Sequence, residues 1–399
     1  MAEKKLKWYS ILEVLFGTIL SFADPFSDIL TLVEFYRAGH TTWFGVGLSF
    51  IFLPIFFFLF ANFTAGSDDQ EKGQCKACLK YTYTLVFGFN PLLPVWLKLR
   101  TLYCYRKKFP KPRQSHKFQV RQDSDTDETD KDLDNLLESS RFAVMAEATL
   151  EAAPQFIIQL YAMVVQQESV SIIQMVSLPV SFLSLAWASI VADELIQSDE
   201  GDINFTVKDK VLHFVTHLFT LSGRLFAVAL FTVSYKWWVT SVLILHCTVI
   251  TICDIVWQRR DRDDPFHLVM SFCLYWLRDD LSLLGEFDGY KHLRRMQLFS
   301  NVLFVIENIT MILLFYFSHF PHTWYSLPVT IWVCLFSVLG ALMRLTHFYY
   351  LRRNHNQMVV QIISIECKES DGRRSRSSSS IESLVTPPWL QQYVYETSV

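Results

Sequence analysis

No catalytic signature runs through this sequence. It lacks a G-x-S-x-G elbow, an H-E-x-x-H helix, a P-loop and a dinucleotide fingerprint, so nothing in it supports the chemistries those motifs carry, and a non-enzymatic role is expected. A cysteine framework is missing too. The eight cysteines are scattered, half of them inside apolar runs, which argues against extracellular disulfide staples. Cys75 and Cys78 make one C-x-x-C with no second pair or His nearby, so neither a metal nor a cofactor is expected there. There is no basic excess: the net charge is −3, which gives no sign of a nucleic-acid partner. The basic start (Lys4, Lys5, Lys7) and the apolar stretch from Ile11 lack a small-residue cleavage site. Asp24, Pro25 and Asp28 interrupt that stretch, so it reads as a retained first helix rather than a signal peptide.

What is present is hydrophobic mass in long pieces. Hydrophobic residues make up 51% of the chain, and Phe44 to Phe63 carries no charge at all. A membrane-crossing helix needs about 20 apolar residues. Apolar segments fall at roughly 9–34, 43–63, 80–98, 138–165, 170–192, 209–233, 237–257, 265–285, 297–318 and 326–350. Segment 80–98 is short and holds Asn90, Pro91 and Pro94. Segment 265–285 holds Arg278, Asp279 and Asp280. Both read as re-entrant or partly inserted helices.

Basic residues then set the orientation. Nine Lys/Arg lie between Lys98 and Arg121. Arg259, Arg260, Arg262, Lys291, Arg294, Arg295, Arg352 and Arg353 mark further loops and the start of the tail. All fall on one side if the two broken segments enter and leave by the same face. The expected fold is therefore all-α, with eight transmembrane helices, two partly inserted elements and both termini cytosolic. The order of two spans, one inserted element and two spans occurs twice, which suggests two pseudo-symmetric halves. Residues 1–353 form the transmembrane domain, with a polar cytosolic loop at about 104–136. Residues 354–399 form a Ser- and Arg-rich tail. Composition predicts disorder for both polar segments. The triplets at Asn62, Asn204 and Asn308 fall in membrane or cytosolic positions, so glycosylation is not expected there.

Several charges lie where a bilayer should be. Asp24 and Asp28 share a face of the first span, and Glu147 and Glu151 repeat that spacing before Pro154. Arg224 interrupts the fifth span, Glu307 lies in the seventh, and Arg344 is toward the cytosolic end of the eighth. His213 and His217 share a face near the start of the fifth. Each ionised group at the bilayer centre costs at least about 2.5–3.5 kcal/mol. The bland reading is interhelical pairing. Four carboxylates on two helices against one central Arg cannot all be neutralised in pairs, however, so a hydrated groove is the better reading for the set. Asp24 and Asp28 show no further oxygen ligands, so a metal site is not expected there either.

The segment from Glu147 to Tyr161, EATLEAAPQFIIQLY, resembles the glutamate-then-A-P-Q-x-x-x-Q-L-Y helix of the XK-related membrane proteins. Asp24 and Asp28 in the first span, the stretch Arg224 to Phe231, and the aromatic-rich Leu342 to Tyr350 are similar to other parts of that family. The likeness covers about residues 9–350. It implies eight spans with two partly inserted elements, and it implies phospholipid scrambling, with phosphatidylserine exposure in apoptosis, as one activity of the family. Other members are partners of membrane proteins or of lipid-transfer proteins. Asp24, Asp28, Glu147, Glu151 and Arg224 match positions expected to line or brace a polar path for lipid headgroups. The resemblance also brings a single-span partner subunit into consideration, and it places the protein in the plasma membrane.

Activating members are cut by caspases in the tail. Asp371, before Gly372, is one candidate here. Asp130, in Asp127-Glu128-Thr129-Asp130, fits an executioner consensus better but lies in the loop and is followed by Lys131. Thr397-Ser398-Val399 reads as a ligand for a PDZ-domain protein. Two other functions compete with scrambling: a membrane scaffold that recruits a cytosolic partner through the loop or tail, and a solute or ion transporter.

Overall fold

The structure, a computed structural model, describes residues 8–66, 93–108, 136–137, 140–166, 170–199, 207–258, 276–277, 290–318 and 324–346. They form helices and short turns, with no strand among them. In chain order the helices are α1 (Trp8–Arg37), α2 (Thr41–Gly66), α3 (Leu93–Lys108), α4 (Ser140–Val165), α5 (Ile172–Asp199), α6 (Val207–Tyr235), α7 (Trp238–Gln258), α8 (Tyr290–Phe317) and α9 (Ser326–Thr346). Six of them, α1, α4, α5, α6, α8 and α9, contain stretches long and apolar enough to cross a membrane. Thr41–Phe57 in α2 and Trp238–Cys253 in α7 are shorter apolar segments.

The helices are built with their polar side inward. On α1, Leu12, Phe16, Ile19, Phe22, Phe26, Ile29 and Val33 face outward, while Ser21, Asp24, Asp28 and Thr31 are buried. On α9, Leu327, Ile331, Leu335, Val338 and Leu342 form an outward stripe with helical spacing, opposite buried Ser326, Thr330 and Ser337. Water would not tolerate that arrangement, whereas lipid favours it, because an apolar side chain gains nothing by leaving hydrocarbon. A multi-pass membrane protein follows.

Core packing relies on small residues and on aromatics. α6 is the most enclosed helix, and its Leu225 and Ala229 pack with Ala153 and Phe156 of α4 and Leu185 and Ala186 of α5. On its other side Val228, Phe231 and Val233 join Met311, Ile312 and Phe315 of α8 and Val333 of α9. α6 and α9 approach closely at two glycines. A Cβ on Gly340 would stand 2.9 Å from the Thr220 backbone nitrogen, and one on Gly223 would stand 3.1 Å from the Ser337 Cα. Small residues at such a crossing let backbones touch, which substitutes in a membrane for the missing hydrophobic drive.

α4 carries one irregularity. Ala148–Ala152 form a π turn, and the Ala153 N–H donates to the Ala148 carbonyl, five residues back. Pro154 lacks an N–H and its ring would crowd the carbonyl four residues earlier, so the wider turn relieves the clash. The helix expected over 138–165 is described from Ser140 to Val165 and is not uniformly α-helical at its glutamates. α3 begins at Leu93 and continues to Lys108, beyond the start of the loop expected at about 104. Most of segment 80–98 and all of segment 265–285 except Trp276 and Leu277 lie outside the described residues. So do Asp130, Asp371 and Thr397-Ser398-Val399.

Candidate functional site: two buried polar clusters

The first cluster joins α1, α3, α4 and α5. Asp24 and Asp28 of α1 and Glu147 and Glu151 of α4 are all buried, at 4%, 1%, 8% and 3% exposure. They lie close enough for their charges to act on one another. Asp28 Oδ1 accepts from Gln159 Nε2 at 2.8 Å and from the hydroxyls of Ser181 and Ser177 at 3.2 and 3.3 Å. Ser181 and Ser184 also bond to Asp24. Gln155, one turn from Gln159 on the same helix, donates to the Gly47 carbonyl of α2 at 2.6 Å. The two glutamines of the A-P-Q-x-x-x-Q helix thus clamp α1 and α2 together.

A residue not expected here completes the cluster. Lys98 of α3 is buried, and its Nζ donates to the Gly17 carbonyl at 2.8 Å and to Ser21 Oγ at 2.7 Å. Its charge acts on Glu147. Lys98 opens the basic run by sequence; in the fold it is buried against α1 and beside Glu147. One oxygen of each acid, Asp24 Oδ1, Asp28 Oδ2, Glu147 Oε1 and Glu151 Oε1, has no hydrogen-bond partner among the described residues. Four acids against one lysine leave an excess that is tolerable only if protons, water or a cationic group of a ligand joins them.

The second cluster lies between α6, α7 and α8. Arg224 is completely buried. Its Nη1 donates to Glu307 Oε2 at 2.6 Å and to Asn308 Oδ1 at 3.1 Å, and its Nε donates to the Trp276 carbonyl at 3.1 Å. The guanidinium also stands 4.7 Å over the Phe304 ring. His246 Nδ1 of α7 is 2.8 Å from the same Glu307 oxygen. Arg224 thus lies in a cluster of its own. Its carboxylate is Glu307, two clusters share the membrane interior, and Lys98 is the cation beside the acids. Asn308, buried and bonded to Arg224, is no glycosylation acceptor. Arg344 sits half-buried near the end of α9.

Two further polar groups hold pairings that the sequence does not reveal. Lys210 of α6 pairs with Glu13 of α1 and Glu194 of α5, and Arg141 of α4 is 3.5 Å from Glu194. Asp193 Oδ2 of α5 is 3.0 Å from His213 Nδ1 and 2.6 Å from His217 Nε2 on α6. The i, i+4 histidines were visible in the sequence. Their partner was not, because Asp193 lies just beyond the apolar segment ending near 192.

Comparison with known proteins agrees with this architecture. A relative, XK-related protein 8 of Tetraodon nigroviridis, is 23% identical over 261 residues, covering 63% of this chain and 59% of that protein. The aligned region thus spans about three-fifths of the relative's length. The family model described as XK-related protein matches residues 12–353, which include both buried clusters and every helix from α2 to α9. The chain belongs to the XK-related family.

Proposed function

We propose that this protein is a phospholipid scramblase of the plasma membrane, passing headgroups, phosphatidylserine among them, between leaflets along the acid cluster of α1, α3, α4 and α5. The observation that carries this reading is the uncompensated set of four buried carboxyls. Headgroups with a free ammonium or a quaternary nitrogen bring the positive charge those acids lack. A polar path would replace headgroup water while the acyl tails stay in lipid, and equilibrating two leaflets needs no energy source. The acids are enclosed in the present structure, so the path belongs to an opened form in which α1 parts from its neighbours. Restraint of that opening is expected, since unchecked scrambling would destroy membrane asymmetry. Cleavage at Asp130 or Asp371 during apoptosis is one release, and binding of a single-span subunit is another.

The topology proposed with this function counts α2 and α7 as crossings beside the six longer spans. That makes eight, with 80–98 and 265–285 partly inserted and both termini cytosolic. Repeated contacts support two pseudo-symmetric halves. α1 packs on α2 and α5, and α2 on α4. α6 likewise packs on α7 and α9, and α7 on α8. Two contacts speak for the same correspondence: Lys98 of α3 reaches α1, and the Trp276 carbonyl reaches Arg224 of α6.

The test is reconstitution of the purified full chain, intact and after executioner-caspase treatment, in vesicles with headgroup-labelled lipid in both leaflets. A membrane-impermeant quencher should bleach label from both leaflets in at least one preparation. Bleaching confined to the outer leaflet in both would reject the proposal. The enclosure of the acids favours a second reading, a non-catalytic scaffold that recruits a cytosolic partner. Capture of such a partner by the isolated loop at 106–136 or by the last ten residues, with no lipid movement, would select it.

A further inference from the structure

We infer that Asp193, His213 and His217 form a binding site for a zinc-class divalent cation that clips the end of α5 to the start of α6. The site is independent of the acid cluster and of the scrambling proposal. His213 and His217 stand four residues apart on α6, so their rings project from one face, the spacing that helical zinc sites use. One nitrogen of each ring converges on a single carboxylate oxygen, at 3.0 and 2.6 Å, and the three ligand atoms lie within 4.8 Å of one another. All three side chains are 10% exposed or less. Neighbouring Glu194 turns instead to Lys210 and Arg141, so the two adjacent acids serve different cations.

The donor set selects the metal. Two imidazoles and a carboxylate suit zinc, cobalt, nickel or copper, whereas calcium and magnesium require shells of oxygen. Tetrahedral ligands about 2.0 Å from an ion lie about 3.3 Å apart. Reaching that value takes shifts of about 0.7 and 0.3 Å in the observed 2.6 and 3.0 Å separations, and the two ring nitrogens, within 4.8 Å of each other, must settle at the same spacing. With hydrogen bonds alone, His213 must carry its proton on Nδ1 and His217 on Nε2 for both to donate to one oxygen. A cation would instead take a lone pair from each of those two atoms, with the protons on His213 Nε2 and His217 Nδ1. Three protein ligands leave a fourth position for water. The connection from α5 to α6 is short in sequence, so the clip would hold two spans at their shared end.

The experiment uses the purified full chain in detergent, stripped with chelator and titrated with cobalt(II) and then zinc. The expected result is one cobalt per chain with visible ligand-field bands, displaced by zinc. His217→Gln and Asp193→Asn should each weaken binding by about 100-fold or more, which matches or exceeds the usual loss when only an outer-shell partner is removed. His40→Gln should leave it unchanged. X-ray absorption of the zinc-loaded wild type decides the matter should a variant fail to fold. Imidazole and carboxylate at about 2.0 Å support the site, and a sulfur shell at about 2.3 Å overturns it. Absence of stoichiometric cobalt in the wild type, or unchanged affinity in both variants, leaves a plain hydrogen-bonded triad and overturns the inference.

Discussion

Replacing Glu307 with Gln tests whether the second cluster is an ion pair or merely a set of interhelical hydrogen bonds. A hydrogen bond between membrane helices averages about 0.6 kcal/mol and reaches about 1.7. Removing one partner of a buried ion pair costs about 3–5 kcal/mol, because the remaining charge is stranded. Arg224 has no exposure at all, and without Glu307 its neighbours are neutral: Asn308, the Trp276 carbonyl and the Phe304 ring. The stranded cation places Glu307→Gln near 3–4 kcal/mol. Arg224→Met should cost less, near 2–3 kcal/mol on the same scale, because Glu307 keeps His246 beside it and 14% exposure. Arg224→Met combined with Glu307→Met should be milder than either of those Met changes alone, since an apolar pair of similar volume replaces a buried ion pair with little loss. The assay is unfolding in mixed micelles of mild detergent and dodecyl sulfate, followed by circular dichroism. A Glu307→Gln cost near 0.6 kcal/mol, or a double variant whose loss equals the sum of the singles, would refute the ion-pair account.

Lys98→Met should destabilise the chain by about 1.5–3 kcal/mol, the range for hydrogen bonds to charged groups, and adding Glu147→Gln should restore part of the loss in the same micelle assay. Gly340→Val should cost about 1–3 kcal/mol through overpacking against the Thr220 backbone. Gly45→Ala, with nothing within 4 Å of its added Cβ, should stay within about 0.5 kcal/mol in that assay. Deleting Thr397-Ser398-Val399 should abolish capture of the full chain by immobilised PDZ domains; capture that persists would remove the terminus as a ligand.

The helical framework was legible because membrane spans announce themselves locally. An unbroken apolar run such as Phe44–Phe63 needs no tertiary knowledge to be read, and the i, i+4 acids on α1 fall inward as helical geometry requires. Partner choice was not legible. Arg224 and Glu307 were both conspicuous, yet 83 residues separate them in the chain, and only the packing of α6 on α8 brings them together. Lys98 ends segment 80–98 and opens a basic run, and basic residues near a span end usually lie in the cytosol. Its burial depends on α3 lying against α1, which no local pattern encodes. The π turn in α4 had a sequence cue in Pro154, but a proline can also kink or end a helix, and tertiary packing chose among these.

The claim at the centre of this account is that the four buried carboxyls serve lipid movement rather than packing alone. It is tested most directly by the lipid-transfer rates of Asp28→Asn and Glu151→Gln in reconstituted vesicles, each paired with its own unfolding midpoint. The account predicts transfer slowed at least about tenfold, equivalent to about 1.4 kcal/mol in the barrier, with the fold intact. Wild-type rates in both variants would contradict it and leave the acids as elements of helix packing.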